Sequence, residues 1–343
     1  MEFERITRTT HYLDPRKNYQ QTSIESEIRR DPLTGLSGRI AHFAGVHFPE
    51  IDLEELSRLS LSRGPCPFCP DLVEQVTPKF PRNINPQGRF HQGEAIVFPN
   101  LSPYDTHSAV TVMTKAHLVP VAELTPERLQ DALASSIDYF RAVNQVEQHM
   151  GYGLISWNYF PMAGASLLHP HLQIYATDHP GNFLGAEIEA AKRYREQMGR
   201  NFWDDLITEE RRRGERYLGA VGNTEWLMPF VPQSFIADVE AIFPGRYSIL
   251  DLTATDLSDF ALGLQHIFHY MEKRHIYSFN LAFFPGSAEV DDTWVHARLS
   301  FRGMFNPLLH SADVSAIRQL YDEPFTTSYP EEVARDLAPI FNQ

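Results

Sequence analysis

Cysteine is scarce in this sequence, whose 343 residues include only Cys66 and Cys69. Secreted scaffolds that depend on disulfides carry many more cysteines, so that class of protein is excluded. Uncharged apolar runs of about 18 residues, long enough to cross a bilayer, are also absent. Charged residues at the start of the chain, including Glu2, Glu4 and Arg5, replace the apolar run of a signal peptide. A soluble, cytoplasmic protein is therefore expected.

Positive charge is also in short supply. The chain has 30 lysines and arginines against 44 aspartates and glutamates, which gives a formal net charge of −14 at pH 7. Such a field repels nucleic-acid backbones and acidic membrane surfaces, and no dense basic block offsets it. We therefore expect neither a nucleic-acid nor a membrane partner. A small phosphorylated substrate remains compatible with this charge, because local donors hold a phosphate.

The length and composition suit two packed units, since domains average roughly 150 residues and 43% of the chain is hydrophobic. Residues 1–64 predict an irregular N-terminal arm with a turn at Asp31-Pro32-Leu33-Thr34-Gly35. The proline-rich stretch 65–86 predicts a loop. We expect one half of the molecule over 65–190, and a connector with a second half over 191–343.

A strand–helix–strand order occurs twice along the chain, with helices predicted to begin after Thr125 and Thr253. Aligning these two threonines sets Asp131 on Asp259. Nearly the same offset sets His169-Pro170-His171 on His296-Ala297-Arg298, which indicates an internal duplication. Strands are predicted at 94–98, 109–113, 153–157, 171–176, 235–243, 277–284 and 294–301, and a charged helical connector at 187–216.

The segment His169-Pro170-His171 predicts a reactive site. Side chains two residues apart on a strand share a face, so both imidazoles should point into one site. Neutral imidazole is a competent nucleophile near physiological pH. Gly164 permits close approach of the backbone to a ligand, while Ser166 and Gln173 can donate hydrogen bonds to phosphate oxygens. Two strand histidines bonded to local partners are the structural alternative, but the combination favours a functional site.

Cys66 and Cys69 have the spacing of half a zinc site, which needs two further ligands. The candidate ligands are His107, His117 and His169. A redox pair and two inert thiols are the alternatives, although the prolines around the pair favour a metal-binding knuckle. Asn100 and Asn158 stand at predicted strand ends, where asparagine is ordinarily a turn former.

The segment Gly164-Ala165-Ser166-Leu167-Leu168-His169-Pro170-His171-Leu172-Gln173 resembles the catalytic signature of the galactose-1-phosphate uridylyltransferase family. This family is the branch of the histidine-triad superfamily with duplicated halves, and the resemblance covers most of the chain. It implies an α+β fold. Two histidine-triad-like (HIT-like) halves would join their antiparallel strands in one extended sheet, with helices packed against it.

The resemblance also implies roles for the candidate residues. His171 would be the nucleophile that carries the nucleotide, and Ser166 and Gln173 would hold phosphate oxygens. Asn158 would lie along the same phosphate-binding approach, and Asn100 near the base and ribose. Zinc would be the cofactor, held by Cys66, Cys69, His117 and His169. His117 is preferred over His107 because it precedes Val121-Ala122-Glu123-Leu124, which matches the family's run after its third ligand.

Three features depart from the family pattern. The stretch Ala41-His42-Phe43-Ala44-Gly45 replaces an arginine-rich run, which leaves only Arg39 nearby. A second metal site in the C-terminal half is expected to be absent. Glu187 and His296 match parts of that site, but Ala282 and Arg298 replace histidines. Finally, residues 319–329 lack a recognisable segment for holding a hexose phosphate.

The resemblance implies transfer of a nucleoside monophosphate by a ping-pong reaction through a nucleotidyl-histidine. The family's substrates are UDP-glucose and galactose 1-phosphate, so the partners would be a nucleotide sugar and a sugar 1-phosphate, in galactose metabolism. A phosphorylase or adenylyltransferase acting on an ADP-sugar or a dinucleoside polyphosphate is the alternative. A catalytically silent zinc-binding protein is a further alternative, and a homodimer is considered as the assembly.

Overall fold

A computed structural model describes residues 1–41, 48–62, 64–147, 151–286, 292–303 and 315–342. The segment 42–45, where the arginine-rich run is missing, lies outside these ranges. The strands are β1 Arg5–Asp14, β2 Gln20–Arg30, β3 Ser37–Ala41, β4 Phe90–Gln92, β5 Ala95–Pro99, β6 His107–Val112, β7 Tyr152–Tyr159, β8 His171–Thr177, β9 Tyr217–Val221, β10 Thr224–Leu227, β11 Asp238–Ile242, β12 Ser278–Phe284, β13 His296–Arg302 and β14 Phe325–Thr326. The α-helices are α1 Leu53–Leu61, α2 Pro70–Val76, α3 Pro126–Val146, α4 Asn182–Met198, α5 Phe202–Arg213, α6 Ala254–Lys273, α7 Ala316–Tyr321 and α8 Pro330–Phe341.

Ten of the described strands form one sheet in the order β4-β5-β6-β8-β7-β12-β13-β11-β10-β9. The neighbouring strands are antiparallel. Each half contributes five strands in the same order from the edge inward, β4-β5-β6-β8-β7 in the first half and β9-β10-β11-β13-β12 in the second. The halves join where β7 pairs with β12, with Asn158 opposite Asn280. The predicted α+β fold with one extended sheet is therefore confirmed.

The long helices α3 and α6 cover the apolar face of this sheet. Each begins at a threonine whose hydroxyl accepts a backbone N–H, Thr125 from Arg128 and Thr253 from Asp256. Apolar side chains at helical spacing on both helices join a single buried core with the sheet. The opposite face of the sheet carries His171 and Gln173 of β8, and the candidate site lies on that face.

A repeated turn supports the duplication. Gly93 and Gly222 both have φ of 54°, a left-handed conformation that favours glycine. A Cβ at either position would lie within about 2 Å of a carboxyl oxygen, of Asp131 in the first half and Asp259 in the second. The predicted alignment of Asp131 with Asp259 therefore joins two residues that occupy the same structural position.

The prediction of an irregular N-terminal arm was wrong for residues 5–41. Strands β1 and β2 form a long hairpin, and β3 and β14 extend it into a four-stranded sheet. Most side chains of β1 and β2 are exposed and polar, so the apolar alternation that reveals a strand is missing. The buried Arg29 anchors this sheet, with two hydrogen bonds of 2.9 and 3.0 Å to Glu331 of α8.

Helix α1 also lies in the arm that was predicted to be irregular, and helices α7 and α8 near the C-terminus were not predicted. The connector forms α4 and α5 as expected, but β9 and β10 follow it and were missed, as was the short helix α2 in the proline-rich stretch. The turn at Asp31–Gly35 is confirmed, because Asp31 accepts the backbone N–H of Thr34 at 2.8 Å. None of the described helices combines the length and apolarity needed to cross a bilayer. The exact domain boundaries stay a prediction.

Candidate active site and metal centre

His171 opens strand β8 in the first half of the ten-stranded sheet, between β6 and β7. It pairs with Val112 of β6, while Gln173 pairs with Ser156 of β7. His171 and Gln173 are two residues apart, so they lie on the same face of the sheet, opposite the helices. His169 precedes the strand, and its ring turns toward the two cysteines rather than along the sheet. The two histidines are therefore neighbours with different partners.

The ring of His171 is held in one orientation and one tautomer. Its Nδ1 lies 2.8 Å from the carbonyl oxygen of His169, so Nδ1 carries the proton and donates it. Nε2 is left with a free lone pair. Burial lowers the pKa of His171, which favours the neutral form, and 8% of the residue remains exposed. This is the state that a nucleophilic imidazole requires.

Four ligand atoms converge beside His171, from Cys66, Cys69, His117 and His169, all within 4.8 Å of one another. The sulfur of Cys69 lies 3.6 Å from Nδ1 of His117 and 3.8 Å from Nδ1 of His169. The sulfur of Cys66 is also 3.8 Å from Nδ1 of His169. Zinc–ligand bond lengths in a tetrahedron imply sulfur–nitrogen separations of about 3.6 Å. The cluster therefore has the dimensions and donor set of a closed zinc site.

Hydrogen bonds behind the two histidines turn the correct nitrogen toward the cluster. Nε2 of His169 donates to the carbonyl oxygen of Thr114 at 2.7 Å. Nε2 of His117 donates to Oγ of Ser60 at 2.7 Å, since that hydroxyl gives its own proton to the carbonyl oxygen of Ser57. Both Nδ1 atoms are thus unprotonated and available to a metal, because each ring donates its other N–H to an oxygen behind it.

The protonation of the cysteines depends on what is bound beside them. Burial and the neighbouring Cys66 raise the pKa of Cys69 to about 11, so a thiolate forms here only with a compensating positive charge. Phe68, which lies between the cysteines in the chain, packs edge-on against the ring of His171, with 5.2 Å between ring centroids. The knuckle therefore both presents the metal ligands and supports His171.

His107 and His117, the two candidates for the third metal ligand, lie in different surroundings. His117 belongs to the cluster, whereas His107 lies on β6 and contacts Glu147. His117, and not His107, is thus the histidine that the structure brings to the cysteines.

Gly164, Ser166 and Asn100 lie outside the strands and helices. Gly164 has φ of 89°, a left-handed conformation that glycine adopts without strain because it has no Cβ. The chain can therefore turn tightly just before Ser166. Ser166 lines a cavity of about 800 Å³ together with Cys66 and His117. Asn100 has a turn role, because its Oδ1 accepts the backbone N–H of Ser102 at 2.9 Å.

Asn158 contacts a residue that sequence reasoning missed. Its Oδ1 accepts a hydrogen bond of 2.7 Å from Asn280 of β12, which also donates to the carbonyl oxygen of Ala163 at 2.8 Å. Asn280 therefore ties the turn before Ser166 to the other half of the sheet. Residues 122 positions apart carry no local signal for this contact.

In the second half, the positions equivalent to the HxH segment carry a buried ionic cluster. Nε2 of His296 lies 3.5 Å from Glu187, and the guanidinium of Arg298 lies 3.5 Å from Glu240. Glu240, on the neighbouring strand β11, was not singled out from the sequence. Arg298 thus stands where the first half has His171, and its charge is matched by buried carboxylates.

Arg39, the arginine left near the altered N-terminal segment, is also engaged. Its Nε forms an ion pair of 3.0 Å with Glu323. This contact links β3 to the chain before β14, so Arg39 has a structural partner of its own.

Two sequence relatives match most of the chain. An uncharacterised protein of Archaeoglobus fulgidus is 28% identical over 317 residues, which cover 92% of this chain and 93% of that protein. The galactose-1-phosphate uridylyltransferase of Neurospora crassa is 26% identical over 272 residues, which cover 71% of this chain and 68% of that protein. No family model matches the chain.

Solved structures show the same architecture. An ADP-glucose phosphorylase from Arabidopsis thaliana superposes with a TM-score of 0.69 at 17% identity, over 91% of this chain and 98% of that one. A uridylyltransferase superposes with a TM-score of 0.65 at 18% identity, over 92% and 98%. These findings confirm the predicted resemblance: the chain has the fold that uridylyltransferases share with ADP-glucose phosphorylase.

Proposed function

We propose that this chain is a nucleotidyltransferase that carries a nucleoside monophosphate on Nε2 of His171. The observation that carries the proposal is the fixed tautomer of His171, whose Nδ1–H is bonded to the carbonyl oxygen of His169. The relative named galactose-1-phosphate uridylyltransferase supports a reaction of this class. The common fold is consistent with it.

In the reaction, Nε2 attacks the α-phosphorus of a nucleotide sugar, and an N–P bond forms. The bond from that phosphorus to its bridging oxygen breaks, and sugar 1-phosphate leaves with the electron pair. An oxygen of the incoming acceptor phosphate then attacks the same phosphorus and releases His171. Ser166 and Gln173 would hold phosphate oxygens, with Asn158 along the approach and Gly164 opening the turn. Asn100 would serve the base and ribose.

Zinc would be held by Cys66, Cys69, His117 and His169, and it would supply structural order rather than a reacting ligand. Four protein ligands would fill a tetrahedral zinc site, which would leave no position for substrate. His169 joins the two parts of the site, because its ring faces the sulfurs while its carbonyl oxygen accepts the proton of His171. A bound metal would therefore fix His169, and His169 would in turn fix the ring of His171.

The favoured substrates are UDP-glucose and galactose 1-phosphate, which would place the protein in galactose metabolism in the cytoplasm, with a homodimer as its assembly. A specific observation supports the alternative of an ADP-sugar phosphorylase: the ADP-glucose phosphorylase was solved with ADP-glucose bound and shares this fold. Covalent labelling of the protein by UDP-glucose and by ADP-glucose, each labelled in the α-phosphate, tests the reaction class and the base together.

We expect modest catalysis with UDP-glucose and galactose 1-phosphate. The arginine-rich run is missing from the sequence, and Arg39 is paired with Glu323. A charge-assisted hydrogen bond contributes about 1.5–3 kcal/mol, so two missing ones weaken a substrate by about two orders of magnitude or more. The measurement is kcat/KM for this pair against ADP-glucose and other sugar 1-phosphates. A value of about 10⁴ M⁻¹s⁻¹ or more, with galactose 1-phosphate preferred, would overturn this expectation.

Only one nucleotide per chain should be bound covalently. Arg298 stands at the position equivalent to His171, and a guanidinium stays protonated and cannot attack phosphorus. Intact-protein mass spectrometry after exposure to excess nucleotide sugar should therefore show a single nucleotidyl adduct. A second adduct that resists removal of noncovalent ligand would contradict the assignment of Arg298.

A further inference from the structure

Asn280 brings a side chain of the second half against the half that carries His171. It lies on β12, directly opposite Asn158 of β7. Its Nδ2 donates to Oδ1 of Asn158 at 2.7 Å and to the carbonyl oxygen of Ala163 at 2.8 Å. The reaction proposed above gives Asn280 no role. Its two hydrogen bonds nevertheless reach both ends of the segment between Asn158 and the turn before Ser166.

The orientation of the Asn280 amide follows from its partners. A backbone carbonyl can only accept a hydrogen bond, so the end of the amide that faces Ala163 is the NH2 group. Arg302, which can only donate, bonds to the other end, with its Nη1 3.2 Å from Oδ1 of Asn280. Because the NH2 group of Asn280 also faces Asn158, the atom that it meets there is the oxygen. The donor end of the Asn158 amide is therefore turned away from β12.

Asn158 is level with His171 across the sheet. Strand β7 pairs with β8 in a register that sets Ser156 opposite Gln173. Two residues further along each strand, the same register sets Asn158 opposite His171. Residues opposite each other on antiparallel strands share a face and have Cβ atoms about 4.5–5.5 Å apart. Nδ2 of Asn158 has no hydrogen-bond partner among the described residues. Since β7 lies between β12 and β8, Asn158 offers its oxygen to Asn280 and its NH2 group to the side of His171.

The turn after β7 is strained, which independently indicates a ligand-binding segment. Phe160 has φ of 71° and ψ of 163°, a backbone conformation that is otherwise almost confined to glycine. Its carbonyl oxygen accepts the N–H groups of Ala163 and Ala165 at 3.0 and 3.2 Å, and its ring stacks on Tyr159 with 4.2 Å between centroids. Strained backbone of this kind clusters at ligand clamps and persists only where surrounding contacts fix it. The hydrogen bond from Asn280 to Ala163 is one of those contacts.

We propose that Asn280 is a positioning residue for the reaction: it holds the amide of Asn158 with Nδ2 as a donor to the phosphate that His171 attacks. This inference rests on the proposed function for the identity of that phosphate. An unrestrained asparagine can present either its NH2 group or its oxygen to a ligand, and the oxygen repels a phosphate oxygen. The bond from Asn280 restricts Asn158 to the attractive orientation. The second half thereby completes the site of the first, although it has arginine at position 298 in place of the nucleophile.

The test is titration calorimetry of the full chain with UMP and with AMP, which needs no turnover. Asn280→Asp keeps the shape of the side chain but can only accept, so Asn158 should turn its NH2 group toward β12 and present its oxygen to the phosphate. Affinity for the nucleotide that the wild-type chain binds more tightly should fall about tenfold or more, since a hydrogen bond to a charged group is worth that factor. Asn280→Ala should cost less, because it leaves the Asn158 amide unrestrained rather than reversed. In an Asn158→Ala background, Asn280→Asp should change the affinity by less than about threefold, because the amide through which it acts is gone.

Asn223→Asp is the matched control, since Asn223 is exposed in the turn between β9 and β10, at the far edge of the sheet. It should bind the nucleotide as the wild-type chain does. A merely structural contact predicts equal losses from Asn280→Asp with and without the Asn158 amide, or a larger loss from Asn280→Ala than from Asn280→Asp. Either result, or unchanged affinity in Asn280→Asp, would overturn the proposal. Failure of both nucleotides to bind the wild-type chain would overturn it together with the proposed function. Absence of covalent labelling at His171, with the dependence on Asn158 intact, would count against the proposed reaction alone.

Discussion

Replacing His171 by glycine should abolish both nucleotide transfer and covalent labelling of the protein. In the proposed reaction this side chain provides the attacking Nε2, because its Nδ1–H donates to the carbonyl oxygen of His169. Loss of a covalent nucleophile typically lowers kcat by about 10⁴-fold or more. Single-turnover labelling with α-phosphate-labelled nucleotide sugar measures the effect directly, without dependence on the acceptor.

His179→Gly is the matched control, because His179 follows the same strand and its side chain is exposed. It should label at the wild-type rate. Acid-labile labelling of the His171→Gly protein at the wild-type level would show that another residue carries the nucleotide. Labelling absent from wild-type protein with every nucleotide sugar tested would reject the reaction class itself.

The purified protein should contain about one zinc per chain, and replacement of Cys66 and Cys69 by serine should remove it. Structural zinc sites contribute on the order of 10 kcal/mol to folding. Loss of even part of this free energy of unfolding lowers the thermal midpoint of a large domain by about 10 °C. Labelling of His171 should fall with metal content, because Phe68 and the backbone of His169 both contact its ring. Elemental analysis and thermal unfolding are the measurements, and a metal-free, folded and active protein would refute the site.

A finer test leaves all four ligands in place. Ser60→Ala removes the acceptor behind His117 and should weaken zinc affinity about 10–100-fold, measured by competition with a chelator. Ser62→Ala is its control, because Ser62 lies at the end of the same helix and its hydroxyl donates to a backbone carbonyl, that of Leu59. Equal zinc affinity in both variants would show that the contact between Ser60 and His117 does not tune the metal.

The parts of the site that could be predicted are those encoded locally. His171 and Gln173 share a strand face because strands alternate, and the spacing of Cys66 and Cys69 already indicated a knuckle. Choosing His117 over His107 needed the family resemblance, because both are near strand β6 in sequence. The structure distinguishes them by their partners, a cysteine in one case and Glu147 in the other.

The parts that could not be predicted depend on contacts between distant segments. Ser60 meets His117 from 57 residues away, and Asn280 meets Asn158 from 122 residues away, with no motif at either serine or asparagine. The N-terminal hairpin was missed for a different reason. Its stability comes from strand pairing and from Arg29, whose partner Glu331 lies 302 residues further along the chain, rather than from an apolar face.

The pairing of β7 with β12 also bears on how such a chain could have originated. Separated from its partner, the first half would present β7 as an open edge, with a row of unpaired N–H and C=O groups. Such an edge recruits another strand, and the nearest suitable one is a second copy of itself. An ancestor with a single half would thus have been a pair of identical chains, with one continuous sheet across the symmetry axis. Because one chain now carries both halves, the equivalent positions 171 and 298 need not hold the same residue, and here they hold histidine and arginine.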